Sequence, residues 1–257
     1  MNRDRSRAVT VPANLLLFGE YAVLEEGGLG LAIAVEARAR ASWTATGSEG
    51  SEPPLVIEGR TPAGTLRWPG DGGVLGGVAA ALEGRLGAVR GHVSIDTSAF
   101  FHPDGRKRGF GSSAAVAVAL TALWSSAAER RDPDDAEVAR RAVAAHRAAQ
   151  GGRGSGYDVW TSSVGGSVLF HGGAQPYAEQ IALPWLPRLV LVTGASAVAT
   201  PGAVARYRSW SESHPLAAAE WVERSNELVR AIAAATSWAE GRPLVAAYRD
   251  LARDLGR

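Results

Sequence analysis

Gly109-Phe110-Gly111-Ser112-Ser113-Ala114-Ala115 opens without a break into Ala114 to Ser126, a run of small and apolar residues. The glycines allow a tight turn that gathers several backbone N–H groups into one concavity. A helix starting there adds its positive N-terminal end. The hydroxyls of Ser112 and Ser113 can bond a phosphate oxygen or a magnesium ion, and the alanines let the helix pack closely. Arg106, Lys107 and Arg108 stand just upstream, and Lys107 is the only lysine of the 257-residue chain. No lysine follows the second glycine, so the common P-loop pattern is absent. Read alone, the segment also fits a plain glycine turn with a serine cap before a core helix, and the basic triplet a solvated loop.

The rest of the chain supplies strands first and helices later. Val9 to Phe18 reads as a buried strand broken at Pro12. Leu31 to Thr46 alternates apolar and polar residues, the period of a half-exposed strand. Leu55 to Glu58 can return as its hairpin partner. Val74 to Leu86 has helical spacing, and His92 to Asp96 suits a strand. Asp132-Pro133 predicts a helix start, with a capping carboxylate and proline at the first helical position, running to about Ala149. Val168 to Phe170 and Leu189 to Val192 are short strand candidates. From Thr200 the chain reads as largely helical, with helices beginning at Pro215 and Pro243. The fold class is α+β. A Gly- and Pro-rich stretch from His171 to Pro187 places the boundary between lobes at about 175, giving 1–175 and 176–257.

Composition narrows the function classes. A hydrophobic fraction of 46% and a charged fraction of 21% fit a soluble globular protein. A net charge of +1 lacks the basic excess that nucleic acid or a membrane surface would select. Without cysteine there is no disulfide, thiolate metal site or cysteine nucleophile. Leu15 to Phe18 is too short for a signal-peptide core, and Ala114 to Trp124 falls far below the ~20 residues of a membrane span. A cytoplasmic enzyme is the expectation.

Two further segments bear on chemistry. Val11 to Leu24 is a strand ending in Gly19-Glu20-Tyr21, which puts a carboxylate at a strand tip. Gln150 to Val159 embeds Asp158 among glycines. Read singly, the first is a strand and turn, and the second fits an Asp turn closing the preceding helix.

Together and in this order, the three segments resemble the GHMP kinase superfamily. Pro12 to Leu24 is similar to its first motif, Gly109 to Ala115 to its phosphate loop, and Gly154 to Asp158 to the aspartate motif of its mevalonate-pathway branch. Gly19 to Glu25 and the run from His146 through Gln150-Gly151-Gly152 to Asp158-Val159 look most like the phosphomevalonate kinase version. Mevalonate kinases usually carry histidine where Tyr21 stands.

The resemblance implies a two-lobed fold: an N-terminal lobe like domain 2 of ribosomal protein S5, and a helix-rich, ferredoxin-like C-terminal lobe. It implies transfer of the terminal phosphoryl of ATP, with Mg2+, to phosphomevalonate. The alternatives are a mevalonate or other small-alcohol kinase, or a catalytically weak nucleotide- or metabolite-binding sensor. On this reading Gly109, Phe110, Gly111, Ser112, Ser113 and Ala114 hold the nucleotide, Ser113 meets the magnesium, and Lys107 supplies charge. Asp158 stands at the acceptor with an orienting role. Asn14, Glu20, Tyr21, Arg147, Ser155, Gly156 and Tyr157 are the candidates for holding the acceptor, with Arg153 a further one. His146 faces the core or the cleft, and Trp68 is a candidate to stack on adenine.

The chain departs from the family pattern twice. The first motif normally carries a lysine, and here reads Pro12-Ala13-Asn14. No third, glycine-rich motif follows Val190. An incomplete C-terminal lobe is the expectation, with an exposed edge open to pairing as a homodimer.

Overall fold

The computed structural model describes residues 6–46, 55–186 and 200–255. These divide into two compact units: residues within Met1–Leu15 and Ala34–Gly165, and residues within Leu16–Ile33 and Gly166–Arg257. Two long strands, β1 (Ser6–Phe18) and β2 (Leu29–Thr44), pair with each other and each contribute to both units.

In the first unit the later part of β2 runs antiparallel to β5 (Gly91–Asp96), with Arg40 opposite Asp96 and Thr44 opposite His92. β3 (Leu55–Thr61) lies parallel to β5 and antiparallel to β4 (Gly64–Trp68). β3 is thus a partner of β5 and not the expected hairpin partner of β2; the hairpin forms locally instead, where Thr61 Oγ1 bonds Gly64 O at 3.0 Å. Pro12 does not interrupt β1. A proline is tolerated on a strand whose N–H side has no ladder partner, and among the described residues β1 pairs only with β2.

Four helices pack in this unit: α1 (Gly73–Leu86), α2 (Ser112–Glu129), α3 (Asp135–Ala149) and α4 (Tyr157–Val164). α2 is apolar on nearly every side and meets α1, α3 and α4, so Ala114, Ala115, Ala117 and Ala119 are fully buried. Helix α3 starts later than the sequence suggests. Its cap is Asp134, whose side chain accepts from Glu137 N at 2.7 Å, while Asp132 accepts from Ser126 Oγ at 2.7 Å and pairs with Arg7. Both aspartates are good caps, and the tertiary contacts of Asp132 decide between them.

In the second unit the first residues of β2 run antiparallel to β6 (Ser167–His171), which runs antiparallel to β7 (Tyr177–Ile181). Among the described residues three helices follow: α5 (Thr200–Ser213), α6 (Pro215–Ala234) and α7 (Trp238–Leu255). Leu29 and Leu31 meet Trp185, Val229, Ile232 and Tyr248 in one apolar cluster, with Phe18, Leu169 and Ile181 against it. Pro215 begins α6 as expected, but Pro243 lies inside α7, which begins at Trp238. The strand expected at Leu189 to Val192 lies outside the described residues. No helix among the described residues is long and apolar enough to cross a membrane.

Candidate active site

The glycine–serine loop turns into α2 as its sequence requires. Gly111 is the N-cap with φ 75°, a left-handed conformation that side chains disfavour, and no side chain caps the helix there. Its own Cα is pressed against Asn14: an added Cβ would lie 2.2 Å from Asn14 Nδ2. Among the described residues, the amides from Gly109 to Ala114 have no acceptor within the protein. Ser112 and Ser113 are half-buried. A row of unused donors at the start of an 18-residue helix is the arrangement that binds phosphate. Above Gly109 there is room, since an added Cβ there meets nothing within 4 Å.

The basic triplet divides its work. Arg106 pairs with Asp104 at 2.8 Å, and Arg108 Nε donates to Phe101 O at 3.0 Å. Lys107 is exposed, bridges Phe101 through its backbone, and makes no ion pair among the described residues. It stands two residues before Gly109 with its charge uncommitted.

The second corner is the start of α4. Gly156 is its N-cap, with φ 92°, and lies against Val143 of α3. Asp158 sits in the first turn, half-buried, and its Oδ1 accepts from Val159 N at 2.9 Å. A carboxylate here is favoured by the helix dipole. Burial, and then the charge of Asp158, raise the Tyr157 phenol well above its ordinary range. Tyr157 N approaches the Oγ of buried Ser155 at 3.4 Å. Arg147 Nε donates to Gly154 O at 2.9 Å and its Nη2 to Ser155 O at 2.8 Å, and burial lowers the pKa of this guanidinium. The arginine thus grips the loop ahead of Asp158. His146 is buried, with its Nε2 3.0 Å from the Gln150 amide nitrogen, while Arg153 is exposed.

Asn14 joins the two corners. Its backbone N donates to Phe110 O at 3.1 Å, and its Nδ2 donates to Ser162 Oγ at 2.9 Å. Ser162 lies four residues after Asp158, hence on the same face of α4, one turn further from its N-terminus. That face is the one turned toward Asn14, on which Gly111 rests. Ser162 was not anticipated from the sequence, although its helical spacing from Asp158 was available once α4 was known.

Trp68 packs edge-on against Trp124, centroids 6.4 Å apart. Glu20 and Tyr21 belong to the second unit. Glu20 Oε2 accepts from Tyr248 Oη at 3.0 Å, and Tyr21, at φ 66°, stacks on Tyr207 with centroids 5.0 Å apart. Among the described residues no three His, Cys, Asp or Glu side chains converge as a metal site.

Residues 74–166, which include the glycine–serine loop and the start of α4, match the GHMP kinases N terminal domain. A phosphomevalonate kinase from Streptomyces sp. (strain CL190) is 28% identical over 192 residues, 66% of this chain. The match spans about half of that relative, 51% of its length. Among solved structures, the Lin0012 protein from Listeria innocua superimposes with a TM-score of 0.76 at 18% identity, over 98% of this chain and 79% of that one. Streptococcus pneumoniae phosphomevalonate kinase, in complex with phosphomevalonate and AMPPNP, gives 0.73 at 15% identity, over 97% and 80%. L. major mevalonate kinase, in complex with R-mevalonate, gives 0.71 at 18% identity, over 97% and 76%. Residues 74–166 are thus similar to the N-terminal domain of GHMP kinases, and the fold of the chain is that seen in phosphomevalonate and mevalonate kinases.

Proposed function

We propose that this chain transfers the terminal phosphoryl group of ATP to phosphomevalonate, giving the diphosphate and ADP. The observation that carries the reading is the tie through Asn14 between the loop that opens α2, with its unused amides, and Ser162, on the face of α4 that carries Asp158 one turn earlier. The similarity of the Streptomyces phosphomevalonate kinase supports the choice of acceptor.

Phosphoryl transfer asks little covalent chemistry of a protein. It asks that the acceptor oxygen be aligned with phosphorus and that the spreading negative charge be neutralised. The amides of Gly109 to Ala114 hold the nucleotide phosphates, with the end of α2 behind them and Lys107 free to approach. Ser113, whose hydroxyl can bond a magnesium ion, would be the residue to hold one, and such an ion would offset phosphate charge. Asp158 orients the acceptor: a phosphate monoester, with a second pKa of about 6, is already ionised near neutral pH and needs no strong base. The bond from phosphorus to the ADP oxygen breaks as the bond to the acceptor oxygen forms.

Asn14 supports a second reading. It is 2% exposed and brings no charge where the first motif of the family places a lysine. A nucleotide-binding relative with weak transfer would look the same. A phosphate-transfer panel on the purified chain, offering phosphomevalonate, mevalonate and other small alcohols with MgATP, separates these. Turnover of phosphomevalonate alone supports the proposal. Turnover of mevalonate alone reassigns the acceptor. MgATP binding without transfer to any acceptor establishes the second reading.

A further inference from the structure

Asn14 is held by two segments that are far apart in the chain. Its amide is bonded to Phe110 of the phosphate loop, its carboxamide to Ser162 of α4, and the Cα of Gly111 is pressed against that carboxamide. It is 2% exposed, Ser162 is 1% exposed, and neighbouring Val11 and Ala13 are buried in β1, so the platform is a strand fixed by the core. A buried hydrogen bond between two neutral side chains contributes modestly to stability, but its geometry is stringent. Here it spans 148 positions and connects β1 to the helix that carries Asp158, while the backbone bond from Asn14 N to Phe110 O ties the same strand to the loop ahead of α2.

We infer that Asn14 is a positioning residue that fixes the phosphate loop in register with the Asp158 helix through Ser162. The inference rests on the phosphoryl-transfer reading for its kinetic consequence, but the tie itself is independent of it. Asn14 supplies no charge and no proton. It acts by holding Gly111 and the second turn of α4, one turn beyond Asp158, at a fixed separation, so that donor and acceptor meet in line. A shift of about 1 Å in such an arrangement costs up to about a hundredfold in rate. Loss of the tie therefore lowers kcat while leaving each substrate's own contacts, and hence each KM, nearly intact.

The test uses the full chain with Ser162→Ala, Asn14→Ala and the double variant. Amide hydrogen exchange of residues 109–115 and 157–163 reads the tie, and kcat and KM for ATP and phosphomevalonate read its consequence. Ser162→Ala removes only a hydroxyl, so it guards against a variant that fails to fold. Exchange in both segments is expected to rise about tenfold in Ser162→Ala while the thermal midpoint of the core stays within a few degrees. Its kcat is expected to fall about tenfold or more, with both KM values within about threefold. The double variant should be no slower than Asn14→Ala alone, because both substitutions break one bond. Unchanged exchange in Ser162→Ala overturns the inference, as does a double variant whose loss is the product of the two single losses. If the wild-type chain transfers phosphoryl to no acceptor, the proposed function fails, and the exchange result alone decides the tie.

Discussion

The phenol of Tyr248 accepts the amide of Gly19 at 2.7 Å and donates to the carboxylate of Glu20 at 3.0 Å. One hydroxyl thus fixes both backbone and side chain at the end of β1, from a residue more than two hundred positions away. Burial, and then the nearby Glu20 charge, raise this phenol above its ordinary range, so it stays protonated and can keep donating. Tyr248→Phe leaves the Gly19 N–H buried without an acceptor. The expected loss is about 1–3 kcal/mol of stability, read by denaturant unfolding, with the fold retained.

Gly109 and Gly111 should respond differently to alanine. Both have positive φ, at 80° and 75°, so each substitution carries about 1–2 kcal/mol of backbone strain. At Gly109 the new methyl meets open space, whereas at Gly111 it would fall 2.2 Å from Asn14 Nδ2. Gly111→Ala should therefore be the more destabilised of the two in thermal unfolding. It should also lose nucleotide affinity, because the loop must move off Asn14. Equal stability of the two variants would contradict the contact.

Asp158→Asn keeps the shape of the first turn of α4 and its bond from Val159 N. It removes the charge proposed to orient the acceptor. Turnover should fall about a hundredfold or more, while the affinity for MgATP, measured by calorimetry, changes little.

Lys107 is exposed and without an ion pair among the described residues, two residues ahead of the loop. Lys107→Ala should raise the KM for ATP several-fold at low salt, and the difference from wild type should shrink by 0.5 M salt, roughly, as exposed charges are screened. Arg106→Ala, whose charge is paired with Asp104, should have the smaller effect.

Much of this arrangement was legible beforehand because it depends on local rules. Glycines at 109 and 111 followed by small residues announce a turn into a buried helix, and α2 begins at Ser112 as that pattern requires. The alternation after Leu31 announced β2. What escaped depends on partners distant in sequence. The parallel pairing of β3 with β5 leaves no local trace in Leu55 to Glu58. The choice of Asp134 over Asp132 as a cap follows from Ser126 and Arg7 occupying the latter. The glycines ahead of Tyr157 disguised α4 as loop. Nothing in Pro12-Ala13-Asn14 discloses Ser162 as the partner of the Asn14 side chain.

Arg147 offers the sharpest contrast between binding a ligand and shaping a site. Its planar fork donates to two successive carbonyls, Gly154 O and Ser155 O, immediately before the glycine that caps α4. A lysine presents one compact charge and cannot reproduce two fixed donor directions. If Arg147 works by shaping the loop, Arg147→Ala and Arg147→Lys should both lower kcat about tenfold with the acceptor KM within about threefold, since the error lies in the placement of Asp158. Had Arg147 instead gripped the acceptor's phosphate, alanine would raise that KM steeply and lysine, which keeps the charge, would recover most of it. Steady-state kinetics of the two variants with varied phosphomevalonate decide between these outcomes, and a lysine variant with near wild-type kcat would overturn the loop-shaping role.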